Sequence, residues 1–177
     1  MPTTYNEQLT SQLQNGRSLT TIADYYANAF KDNEPANAFL QRRQLHRDES
    51  IALLRLGFSD RTLGKQLPPK ILKSGRELRE KLKQLGIFKD TGHETLRGCL
   101  TVPLTNREGD VTGIYGRRVD DHTRGDLHYR IGGGIFNVMA LSKFDELILA
   151  DSILNALTFH AAGHDNVIAL QHVELSS

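Results

Sequence analysis

Six arginines, Arg97, Arg107, Arg117, Arg118, Arg124 and Arg130, fall in a stretch that also carries Tyr115 and Tyr129. A guanidinium fork matches phosphate oxygens two at a time, and a tyrosine ring gives an unstacked base a platform. Single-stranded nucleic-acid grooves use this combination. The same residues also fit exposed strand and loop arginines around hydrogen-bonded core tyrosines, so both readings stay open at this point. A second kind of chemistry could sit at Asp151, where the apolar run Leu147-Ile148-Leu149-Ala150 gives way to a helix-forming stretch. Ligands of open α/β sheets bind beyond the carboxyl ends of the strands, so an acid there can hold Mg²⁺ for catalysis on phosphates. It is equally the place of an N-capping aspartate. One helical turn on stands the neutral Asn155, and no Asp-x-Asp pair follows.

The other candidates carry less. His160 and His164 have the spacing of a metal pair, but Gly163 between them breaks the common face, which favours helix-end histidines complementing the dipole. Gly132-Gly133-Gly134 follows no strongly apolar strand and opens no clear helix, which argues against a cofactor loop. Cys99, the one cysteine, lies in an apolar strand as a small core residue. A single cysteine excludes an intramolecular disulfide and every zinc site built on several cysteines, so no zinc is expected.

The charge distribution sets these residues in context. Lys+Arg number 22 and Asp+Glu 21, for a net charge of +1, yet residues 1–39 carry −2, residues 40–130 carry +7 and residues 131–177 carry −4. A basic middle joined to an acidic end is the asymmetry of a part that holds a polyanion beside a part that holds a cation or avoids the polyanion. A helical region with a solvated Lys/Arg face gives the same numbers. No run approaches the roughly 18 consecutive apolar residues of a spanning helix, and the opening residues lack a signal-peptide pattern. A cytoplasmic protein without a membrane partner is expected.

The elements that must position these residues follow from periodicity. Residues 1–17 are polar and predict a loose lead-in. From 18 to 97 the pattern is helical. Ser18 is placed to cap a first helix with Leu19, Ile22, Tyr25, Tyr26 and Phe30 on one stripe, Pro35 opens a second, and Gly57 stops a third. After Pro68-Pro69 a last one places Leu78, Leu82 and Leu85 on one face before Gly86. Residues 98–143 read as a basic β-hairpin turning at Gly109, a short extended piece 127–131 and a helix-length piece 137–144. Residues 144–177 read as strand, helix, strand, a right-handed parallel βαβ unit. The fold class is therefore α+β: a helical subdomain, a small hairpin or sheet region, and an incomplete βαβ unit.

The order of these pieces resembles bacterial primases. FLQRRQLHRDESIALLRLGFSDRTLGKQLP is similar to the helical start of their catalytic core, and GCLTVPLTNREGDVTGIYGRRV to their "Arg-hydrophobic-Phe-Pro-Ile … Gly-x-Val-x-Gly-Phe-Gly-Gly-Arg" element. LILADSILNALTFHAAGHDNVIAL is similar to the opening of a Toprim domain. Residues 75–86 and Gly92-His93-Glu94 also match mobile-element primases that join a CHC-type zinc finger to a Toprim domain. The resemblance implies that Arg117 or Arg118 is the family arginine ending the second strand, and that Tyr129-Arg130 lies near its lysine/tyrosine element for nucleic acid or nucleotide. It implies that Asp151 stands for the Toprim glutamate and Asn155 for the acid after it. The family's cysteines and its Asp-x-Asp segment are absent from these residues.

Three functions are implied. The first is a primase-like module that binds single-stranded DNA, or an RNA–DNA template, in replication or mobility of a plasmid, phage or transposon, with a helicase or second primase subunit as partner. The second is a Mg²⁺-dependent primase or Toprim nuclease, completed by a longer chain or another subunit and using Asp151. The third is a protein–protein adaptor.

Overall fold

A computed structural model describes residues 5–120 and 127–169; Arg124 lies outside the described residues. The element order is α1 (Glu7–Gln14), α2 (Ser18–Phe30), α3 (Glu34–Arg42), α4 (Asp48–Leu53), β1 (Gly57–Phe58), α5 (Leu63–Gln66) and α6 (Lys73–Gln84). It continues with β2 (Cys99–Thr105), β3 (Val111–Arg118), β4 (His128–Gly132), a 3₁₀ turn (Val138–Ser142), β5 (Ile148–Ala150), α7 (Ile153–Ala161) and β6 (Val167–Ala169). The class is α+β. Strands β1 to β4 form one antiparallel sheet in sequence order, and β5 pairs with β6 in parallel. No described helix is long and apolar enough to cross a membrane.

The hairpin forms as its sequence predicts. Gly109 takes a positive φ of 84° in the turn, and Asn106 closes it by accepting the Asp110 amide at its side chain. Both sheet faces are covered. Leu100, Val102, Leu104 and Tyr115 pack on Phe39 and Leu40 of α3 and on Ile153 and Leu157 of α7. Cys99, Ile114 and Ile131 pack on Ile22 and Tyr26 of α2 and on Leu78 and Leu82 of α6. The two sheets are stitched by adjacent residues: Ile135 bridges Thr105 and Phe136 bridges Ala169. The hairpin therefore does not extend the parallel pair; it makes its own sheet.

Four expectations are corrected. The lead-in contains a helix, α1, because Asn6 caps it at Leu9 N–H and Leu9 and Leu13, one turn apart, bury against the second core. Ser18 is the first helical residue and not the cap; its hydroxyl donates to the Leu13 carbonyl and closes the α1–α2 corner. Gly57 does not stop a helix. Arg55, at φ 51°, takes the left-handed position, while Gly57 enters β1 where α2 crosses so closely that a Cβ would lie 2.7 Å from the Tyr26 carbonyl carbon. Residues 138–142 wind as a 3₁₀ turn after the left-handed Asn137 and not as an α-helix.

Candidate nucleic-acid interface

Strand β3 carries the sequence-predicted arginines, and its pleat separates them. Side chains two apart share a face, so Arg117 stands with Tyr115, and their cross-strand partners on β4 are His128 and Arg130. Arg118 stands on the opposite face, where its guanidinium and that of Arg61 both close over Gly98. Tyr129 shares that opposite face and lies under the Lys89 ammonium, 5.7 Å from its ring centre. Arg97 is exposed just ahead of β2, at the sheet end where Cys99 pairs with Arg118. Arg107, in the hairpin turn, is at the other end, about 20 Å along the strand from Arg117.

On the Arg117 face, side chains from distant parts of the chain meet at Phe39. The guanidinium carbons of Arg43, Arg117 and Arg42 lie 4.9, 5.5 and 6.0 Å from its ring centre. Each such contact is attractive between cation and ring face, so Phe39 gathers three guanidinium groups at one place. Arg117 is 4% exposed and forms the floor, donating to its neighbour's carbonyl at Arg118. Arg42 and Arg43, at the end of α3, are exposed. No motif or spacing marks them in the sequence. Only the packing of α3 on β3 reveals them, although an arginine pair at a helix C-terminus was visible in the basic segment.

Tyr115 and His128 complete the wall. The Tyr115 hydroxyl and His128 Nδ1 are 2.6 Å apart. Burial pushes the Tyr115 hydroxyl up to about 12, so it stays protonated. Partial burial, then repulsion from Arg117 and Arg43, holds the His128 imidazole below its usual value. With Tyr115 as donor, the neutral ring keeps its proton on Nε2. Arg130 is exposed and donates to the carbonyls of Gly132 and Gly134. The triple glycine itself serves backbone packing: a Cβ on Gly113 would lie 2.0 Å from the Gly133 carbonyl oxygen.

Asp151 lies exposed beyond β5 and accepts from Asn155 Nδ2 at 2.7 Å. It does not cap α7; Ser152 does, accepting the Asn155 amide. Among the described residues no three His, Cys, Asp or Glu side chains gather as a metal group. One carboxylate and one amide do not by themselves make a magnesium site. His160 is buried and hydrogen-bonded to Ser50 at 2.8 Å, and burial lowers its pKa, so it ties α7 to α4 rather than adding charge at the helix end. The Cys99 thiol is pushed up to about 11 by burial, as a core cysteine should be.

No family model and no curated protein matches the chain by sequence. Solved structures do match by shape. A DnaG primase catalytic domain bound to single-stranded DNA superposes with a TM-score of 0.68 at 18% identity, over 94% of this chain and 56% of that one. The fold is that of part of the primase catalytic domain. The Aquifex aeolicus primase, with its zinc-binding and RNA polymerase domains, gives 0.71 at 18%, over 89% of this chain and 42% of that one. The Mycobacterium tuberculosis primase RNA polymerase domain, in complex with a double-stranded DNA with a 6-nucleotide overhang, gives 0.64 at 16%, over 94% and 56%. The chain thus spans about half the length of the primase structures it matches, and the shared feature is the fold.

Proposed function

We propose that this chain is a primase-like nucleic-acid-binding module, and that the ligand backbone lies across the Phe39 site. The observation that carries the reading is the meeting of Arg42, Arg43 and Arg117 on one ring, beside Tyr115 and His128, in a fold whose solved examples include DNA complexes. The exposed Arg42 and Arg43 contact phosphates, and Arg117 beneath them holds the ring they stack on. Arg97 and Arg118 with Arg61 offer further phosphate contacts at the sheet end, and Lys89-supported Tyr129 a stacking ring. The role is in replication or mobility of a mobile element, with single-stranded DNA as the ligand.

The test is fluorescence anisotropy of a labelled oligo(dT) at rising salt. Each arginine withdrawn from a phosphate lowers the magnitude of the single-strand salt slope by about 0.7, so Arg42→Ala with Arg43→Ala lowers it by about 1.4. Arg107→Ala, at the far end of the hairpin, leaves it unchanged. A double variant that binds as the unaltered chain does overturns the site.

A second reading, a Mg²⁺-dependent primer synthase or Toprim nuclease, rests on the place of Asp151 at the carboxyl end of a parallel strand. Its missing acids would come from further chain or a second subunit. Metal-dependent primer synthesis or DNA cleavage abolished by Asp151→Asn supports it; activity indifferent to that change removes it.

A further inference from the structure

The segment 61–76 carries five basic residues, Arg61, Lys65, Lys70, Lys73 and Arg76, and no acidic one. At its centre the loop before α6 turns two apolar side chains outward: Ile71 is 84% exposed and Leu72 44%. An isolated exposed leucine or isoleucine is ordinary. This loop is unusual in how firmly its backbone is held. Pro68 and Pro69 fix their own φ angles. Arg79 donates to the carbonyls of Pro68, Gly75 and Gly64, the last at 2.9 Å. Arg76 donates to the carbonyls of Ile71, at 2.9 Å, and Lys70. The Leu72 amide returns to the Pro69 carbonyl at 3.0 Å. Gly75 presses against the same turn, where a Cβ would lie 2.2 Å from the Pro69 carbonyl oxygen. Buried Leu63 and Leu67 anchor the approach from α5.

A rigid loop that displays an apolar tip has already given up the conformational freedom that binding would otherwise cost. We propose that loop 68–73 is a docking knob for an acidic protein segment, Ile71 entering an apolar pocket or helix face and Lys70 and Lys73 meeting the carboxylates around it. Charge complementarity selects that occupant, since loop 68–73 holds two lysines and no carboxylate; Lys73 also faces Glu77 one turn on at 3.7 Å, an exposed pair weak enough for an acidic partner to displace. A phosphate backbone gains nothing from an isoleucine tip, and an anionic bilayer needs a broader apolar face than one Ile–Leu pair. The proposal is independent of the Phe39 site, which lies on α3 and β3.

Amide chemical shifts of the full chain report the binding of three probes: an acidic amphipathic peptide of Glu, Leu and Phe, oligo(dT), and phosphatidylglycerol vesicles. The peptide should give saturable shifts confined to the amides of 70–73, Pro68 and Pro69 having none, and of neighbouring α6. Ile71→Ala should weaken it about 30-fold, the drop typical of a truncated interface anchor. Lys70→Glu with Lys73→Glu should weaken it further at low salt, with the melting temperature of each variant unchanged. Absence of saturable shifts in the loop, a loop response to oligo(dT) or vesicles in place of the peptide, or unaltered peptide affinity in Ile71→Ala overturns the proposal.

Discussion

Glu94 is the polar centre of the second core, and replacing it tests how the helical part is locked to the sheet. It is 5% exposed and accepts three hydrogen bonds: from the Ser59 hydroxyl at 2.7 Å, the Tyr26 hydroxyl at 3.0 Å and the Leu63 amide at 3.1 Å. One side chain thus joins α2, the turn after β1 and the start of α5. In Glu94→Ala the two hydroxyls can turn to one another, while the Leu63 amide stays orphaned. An orphaned buried group costs about 1–3 kcal/mol, and the missing methylenes and one misdirected hydroxyl bring the total to about 4 kcal/mol. For a chain of this size that lowers the melting temperature by about 12 °C. Glu94→Gln keeps the volume and one acceptor for Leu63, and adds a pH signature. Burial, the largest influence, raises the Glu94 carboxyl above its usual 4.5 despite its three donors. A raised folded-state value means that the native chain binds the extra proton. The stabilisation is complete below about pH 4.5 and is lost as pH rises through the folded value. The melting difference, Gln variant minus unaltered chain, should therefore grow more positive from pH 4.5 toward neutrality in a thermal series. A difference that stays flat, or an alanine variant that melts within about 2 °C of the unaltered chain, refutes the reasoning.

Two further outcomes follow from the same geometry. His128 is held neutral by burial and by Arg117 and Arg43, and a bound phosphate would favour its protonated form; oligo(dT) affinity should rise about threefold as pH falls from about 8 to about 5.5, and His128→Asn should abolish that rise in an anisotropy titration. Gly57→Ala should cost about 3 kcal/mol in denaturant unfolding, because its Cβ would meet the Tyr26 and Ala27 backbone at 2.7 and 2.8 Å, whereas Gly133→Ala, with nothing within 4 Å, should be neutral.

What could be read in the sequence was what local periodicity controls. The β2–β3 hairpin and the β5–α7–β6 unit follow from alternation, apolar runs and single glycines, and both formed. Helix α1 escaped because Leu9 and Leu13 are the only apolar residues of a polar octapeptide, too few to mark a stripe. The site was half legible. Arg117, Tyr115 and Tyr129 were visible as a basic, aromatic strand pair, but Arg117 and Arg118 look like one unit in sequence and are split by the pleat. Arg42, Arg43 and Phe39 join them only through the packing of α3, which has no local signature.

The irregularity between Leu104 and Thr105, where the β2–β3 register shifts, bears on which length changes this chain can accept. Beyond it residues 107–110 of the turn are exposed, so added residues there would hang from the hairpin end without moving the paired strands. Removing one residue between Val111 and Tyr115 has a different result, because pairing has a period of two. Arg118 would swing into the place of Arg117 beneath Phe39, and Gly116 would take that of Tyr115, emptying the wall against His128. Length variation among proteins that keep this site should therefore gather in the turn and spare the strand, which gives a sequence-only criterion for recognising them.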